Sequence, residues 1–153
     1  MTKERNLKGF TLIEVLIVIG LIAILAAVTV IALNPTKNFQ DARNAERRGE
    51  IAQIMNAINQ FSIETANQAN YTNLVGSVTA CGTLDAPIAL TGGASVTGVP
   101  IGTWIVPSVI AEIPGDPQTG TAALSGYTIC KTGTRVTIKA PSAEAGATIS
   151  LSR

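Results

Sequence analysis

The sequence contains no histidine, which removes the commonest general base and the commonest zinc ligand together. Charge is also scarce. Charged residues make up 14% of the 153 positions and the net charge is +1, so there is neither a basic field to hold nucleic acid nor an acidic tail. Aromatics, at 4%, are too few for a base-stacking platform. Cysteine occurs only as Cys81 and Cys130, far apart and in no metal-type spacing. The remaining residues assemble no nucleophile–base pair, phosphate loop or metal cluster. The reading is therefore of a non-enzyme with no catalytic residue, no cofactor, no metal site and no nucleic-acid partner.

What is present is hydrophobicity, concentrated in one place. The mean hydropathy of +0.35 is apolar for a soluble chain and low for a polytopic membrane protein, as one apolar block joined to a mild polar domain would give. The block runs from Phe10 to Leu33, roughly 24 residues, or about 36 Å as a helix, which is enough to span a bilayer. It is too long for the apolar region of an ordinary signal peptide, no small-residue cleavage site follows it, and no Cys near its end suggests a lipoprotein. Within it stands one acid, Glu14. A short basic stretch with Lys3, Arg5 and Lys8 precedes it and ends at Gly9.

Asn34 and Pro35 end the run. Proline suits the first turn of a helix, with Asn34 as its cap, so a kink there and a second helix over 35–64 are expected. In that helix Ile51, Ile54, Met55, Ile58 and Phe61 recur at three and four, forming one apolar stripe. The charges Asp41, Arg43, Glu46, Arg47, Arg48 and Glu50 precede the stripe and read as a solvated face. After about Ala66 the composition turns to Thr, Ser, Gly and Ala. The segment Asn73–Pro117 reads as an irregular connection with short strands near Ile88 and Trp104. Three strand-like runs follow, Tyr127–Lys131, Arg135–Ala140 and Thr148–Ser152, spaced as an antiparallel meander. The expected fold is α+β: a long kinked N-terminal helix whose outer half, through its stripe, covers a small antiparallel sheet.

The residues Lys8-Gly9-Phe10-Thr11-Leu12-Ile13-Glu14 resemble the processing motif of type IV pilins and type II secretion pseudopilins: a basic leader, a Gly, an apolar or aromatic residue, a Glu fifth after the cut, then a long apolar helix. The specific resemblance covers roughly the first 35 residues, with weaker similarity through the second helix. It implies a leader at 1–9, an assembly helix at 10–34 and an extracytoplasmic head at 35–153, divided into the second helix (35–64), a variable middle (66–125) and the meander (126–152). It also implies that a prepilin peptidase cuts between Gly9 and Phe10 and that the Phe10 amine is methylated. Glu14 then pairs with the neighbouring subunit's N-terminal amine during self-assembly. The implied partners are that peptidase, an inner-membrane assembly platform, the membrane and further copies of the chain. The implied location is the inner membrane as a single-pass precursor, then an extracellular or periplasmic filament. A major pseudopilin and a membrane-tethered extracellular binding module are the alternatives to a pilus subunit.

Some features lie outside the motif. Lys3, Arg5 and Lys8 precede the span while Lys37, Arg43, Arg47 and Arg48 follow it, so orientation rests on the resemblance and the cysteine pair rather than on positive charge. Outside the cytoplasm, a Cys81–Cys130 disulfide is the economical reading, with two buried free thiols as the alternative. Many family members have a proline in the second half of the apolar run; here that position is Ile31 and the proline falls later, at Pro35. The segment Ile113-Pro-Gly-Asp116-Pro resembles a turn near which pseudopilins can hold calcium. Asp116 and Glu112 are its only nearby carboxylates, so a structural turn is expected. The tripeptide Asn70-Tyr-Thr matches a glycosylation pattern and is assigned no role.

Overall fold

The computed structural model describes residues 9–64, 67–82, 85–91 and 98–153; the leader residues Met1–Lys8 lie outside these. The chain forms two compact units, Met1–Phe39 and Gln40–Arg153.

In the first unit, helix α1 spans Leu12–Leu33. It contains no proline and one glycine, and its start is set by Thr11, whose extended backbone and side chain cap the first turn. It is apolar on all sides and none of its residues is buried. Among the described residues it supplies the only helical segment long and apolar enough to cross a membrane. Asn34 ends it in the left-handed region (φ 38°, ψ 69°), a conformation asparagine tolerates better than most residues. Helix α2, Pro35–Ile63, begins at the next residue, where proline's missing N–H costs nothing. The expected break is therefore present, and Asn34 closes one helix while its carbonyl accepts from the Lys37 and Asn38 amides at the start of the next.

In the second unit the stripe of α2 enters a core. Ile51, Ile54, Met55, Ile58 and Phe61 are buried in one cluster with Tyr127, Ile129, Val136, Ile138 and Ile149 of the sheet region. The sheet has the order β1 (Ala86–Ala89), β2 (Leu124–Thr132), β3 (Arg135–Lys139), β4 (Ser150–Ser152), with every pair antiparallel. The β2–β3 hairpin pairs Thr132 with Arg135 around a two-residue loop whose first residue, Gly133, has φ 62°. A positive φ there matches the twist of the flanking strands, and glycine adopts it without strain. The fold is thus α+β, with the meander where the pattern placed it and the strand expected near Ile88 present as β1 at one edge.

Three expectations need correction. Trp104 lies in a single helical turn, α4 (Gly102–Ile105), and not in a strand. Pro100 opens this turn, and Gly102 packs so closely on Leu90 that a Cβ would sit 1.7 Å from its carbonyl oxygen. The connection after Asn73 is also less irregular than expected, because helix α3 covers Gln68–Ser77. Its propensity is weakened by Thr72 and Gly76. Tertiary contacts hold it: Leu74 is fully buried and Lys131 Nζ donates to the Val75 carbonyl at 2.6 Å. The third concerns the α2 charges, of which Arg47 is buried.

Cys81 and Cys130 are joined in a disulfide with a Cα–Cα distance of 4.9 Å, tying the segment after α3 to the centre of β2. The bridge closes a separation of 49 residues, and chain entropy assigns such a loop about 4 kcal/mol. Urea unfolding of the full chain in mild detergent, oxidised against reduced, should show a loss of that order. Coincident transitions would contradict it.

Candidate functional site

Two constellations stand out, one in each unit. The first is the N-terminal start of α1. Gly9 and Phe10 are exposed, Phe10 to 88%, and among the described residues nothing beyond the chain neighbours lies within 4 Å of where a Gly9 side chain would begin. The backbone at Gly9–Phe10 is thus sterically open on that side. Thr11 and Glu14 form a reciprocal cap. The Thr11 amide donates to Glu14 Oε2 at 2.8 Å, the Thr11 hydroxyl donates to the same oxygen at 2.7 Å, and the Glu14 amide donates to Thr11 Oγ1 at 3.4 Å. This arrangement satisfies helix-terminal donors and places the carboxylate at the positive end of the helix dipole. Glu14 Oε1 accepts no hydrogen bond among the described residues.

The second constellation lies where α2 meets the sheet unit. Of the charges read as one solvated face, Asp41, Glu46 and Arg48 are exposed, but Arg47 is fully buried and Arg43 and Glu50 are half-buried. The reason is geometric. Continued towards the N-terminus at the same spacing, the stripe of Phe61, Ile58, Ile54 and Ile51 reaches Arg47 and then Asn44, both buried. The core-facing side of α2 therefore ends in polar groups, which need partners.

Arg47 uses all its donors. Nε donates to Asp116 Oδ2 at 2.6 Å. Nη1 donates to Asn44 Oδ1 at 3.1 Å and Glu144 Oε2 at 3.0 Å. Nη2 donates to Asp116 Oδ1 at 3.4 Å and Gln118 Oε1 at 2.8 Å. Asp116 Oδ1 also accepts from the Gln118 and Thr119 amides, both at 2.9 Å. Burial pushes the Asp116 carboxyl up, but the guanidinium and these amides outweigh it and hold the group below its ordinary value. Its oxygens are committed to the turn and to Arg47, which makes it a structural carboxylate. Glu144 is held at about 2, chiefly by the Arg43 bond (Nε–Oε2 2.6 Å) and then by Arg47. The Asn44 carboxamide completes the joint by donating to the Glu144 carbonyl at 2.9 Å and accepting from its amide at 3.0 Å. Farther along α2, Glu50 accepts from the Tyr127 hydroxyl. Burial raises both groups above their usual values, against the hydrogen bond for Glu50 and with it for Tyr127.

The structure brings Cys81 and Cys130 together, sets Gly9 and Phe10 just before α1, and places Glu14 in its first turn. Arg47, Asp116 and Glu144 were not read from the sequence as a unit. The available signal was the stripe itself, which passes through Arg47 at the correct period. Cys81, Asp85 and Cys130 cluster, but both sulfurs are consumed by the disulfide. Asn70 is exposed on α3.

A family model describing the prokaryotic N-terminal methylation motif matches residues 5–30, the span that holds the Gly9–Phe10 junction, Glu14 and most of α1. This is the prepilin motif of type IV pilins and pseudopilins. No curated protein and no solved structure matches the chain.

Truncating one member of a buried pair leaves the other charge buried and unpaired, which typically costs about 3–5 kcal/mol. Arg47→Ala should destabilise the chain by that amount in urea unfolding. Arg48→Ala, one residue on and exposed, should stay within about 0.5 kcal/mol of the parent. Equal effects would refute the assignment.

Proposed function

We propose that this chain, which carries the prepilin motif, is a structural subunit of a type IV pilus or pilus-like filament. A prepilin peptidase cuts it between Gly9 and Phe10, the new Phe10 amine is methylated, and α1 holds the subunit in the inner membrane until an assembly platform draws it into a filament. The reading covers a major pseudopilin of a type II secretion system equally, since both classes share the motif and the route. The observation that carries it is a 22-residue apolar helix with no buried residue, bearing a single carboxylate in its first turn, directly after the matched junction.

The chemistry supports this order of events. Cleavage ahead of the apolar run leaves the anchor on the mature protein. It also turns the Phe10 nitrogen, uncharged in a peptide bond, into a cation. The Glu14 oxygen left free by the cap is then a partner for that cation on an adjacent subunit, and in the low dielectric of packed helices such a pair is strong.

Two outcomes test the reading. In cells with an active prepilin peptidase, intact-mass measurement should find membrane-extracted protein beginning at a singly methylated Phe10; a chain still starting at Met1 would rule out the processing step. Glu14→Gln keeps shape and hydrogen bonding but removes charge. As the sole subunit it should be processed and inserted normally yet yield at least tenfold fewer filaments by electron microscopy, the factor that about 1.4 kcal/mol of lost pairing produces. Parental filament yield from this variant would show that the charge does not drive assembly.

A further inference from the structure

The break between α1 and α2 satisfies part of its backbone from within. The Leu33 carbonyl, at the left-handed turn, accepts from Asn38 Nδ2 at 2.8 Å. Asn34 Oδ1 accepts from the Lys37 amide at 3.4 Å, and the Asn34 carbonyl accepts from the Lys37 and Asn38 amides at 3.1 and 3.3 Å. Pro35 has no N–H to place. A helix break in water needs no such internal partners, because solvent supplies them. In the hydrocarbon an unsatisfied carbonyl costs several kcal/mol, so a break at its edge gains from each partner it supplies itself.

Length places the break at that boundary. The 22 residues of α1 rise about 33 Å, against a hydrocarbon thickness of about 30 Å. Beyond it, Phe39 is 64% exposed, and among the described residues it is the one large apolar side chain left exposed between Leu33 and Ile63. Six residues past Leu33, it lies about 9 Å farther along the helix, in reach of the headgroup layer. Exposed Lys37 stands two residues before it. An aromatic ring and a long cationic side chain together suit the zone where acyl chains meet headgroups. Phe39 also continues the exposed apolar surface of α1 after a short polar interruption.

We propose that residues 34–39 form a membrane-interface seat. The partner is the lipid surface, with the break at the acyl–headgroup boundary, the Phe39 ring and the Lys37 ammonium in the headgroup layer beyond it, and the Asn38 carboxamide holding the Leu33 carbonyl. This rests on the reading of α1 as the membrane anchor.

The test uses the full chain carrying Phe39→Trp, reconstituted in phosphatidylcholine–phosphatidylglycerol vesicles with acyl chains brominated at a shallow or a deep position. The parent, whose one indole is Trp104, supplies the background. Flotation comes first, and a chain that does not float with the vesicles overturns the anchor reading and this seat with it. For a floating chain, the indole at position 39 should be quenched by shallow bromines at least twice as strongly as by deep ones. No quenching beyond the parent, or stronger quenching by deep bromines, overturns the seat and leaves the anchor standing. In the same vesicles Asn38→Leu should speed amide exchange over residues 34–38 by about tenfold, the effect of losing one hydrogen bond, with exchange in the sheet unchanged. Unchanged exchange at the joint would show that the carboxamide does not hold it.

Discussion

Helix α1 has no core to enter. Every one of its side chains is exposed, and they are apolar on all sides rather than along one stripe. Such a surface is tolerable only in lipid or among like helices, and the features around it fit that demand. Its one carboxylate sits in the first turn, where the cap and the helix dipole favour a negative charge. Its far end closes on an asparagine and a proline, where side chains partner the Leu33 carbonyl and the Lys37 amide. Polar side chains are thus confined to the two ends apart from Thr29, whose hydroxyl donates back to the helix carbonyls of Leu25 and Ala26.

The second unit meets the opposite demand, since it must stand as a folded body by its own contacts. Its apolar cluster supplies the adhesion, and the Arg47 joint supplies the register. A buried ion pair adds little net stability over apolar residues of the same volume. A seating of the sheet on α2 that buried Arg47 away from these five acceptors would leave a guanidinium unpaired, at a cost of several kcal/mol. The partners come from far along the chain, Asp116 and Gln118 from the turn before β2 and Glu144 from the loop after β3. One arginine therefore fastens two separate loops to the helix. The disulfide performs a similar task on the segment before β1, which has little apolar content of its own.

Much of the architecture was legible in the sequence, because its strongest signals are local. The apolar run, the Asn34–Pro35 break, the three-and-four stripe and the evenly spaced meander each specify an element without knowledge of its neighbours. The failures share a cause. Trp104 read as a strand residue, whereas the segment forms a single helical turn in which Gly102 packs against Leu90. Helix α3 has weak propensity and is held by Leu74 and Lys131 from outside. The Arg47 joint was hidden for a related reason. A charge run on a helix is usually solvated, and deciding otherwise required knowing that the buried stripe continues past its last apolar residue. In each case tertiary contacts overrode the local preference.

On the proposed reading, the N-terminus divides assembly between two forces of different character. Contact between apolar helices is nearly as good in lipid as in a filament, so it holds subunits together without fixing their offset. An ion pair is the reverse. It engages only at one axial displacement, where one subunit's Phe10 amine meets the next subunit's Glu14. Before cleavage the amine does not exist, so a precursor would have adhesion without register. Methylation keeps the nitrogen cationic, and so the pairing survives that step. The cap on Glu14 fits this scheme as well: by holding Oε2 against Thr11 it orients the carboxylate while the chain is alone, and it leaves Oε1 for the incoming charge.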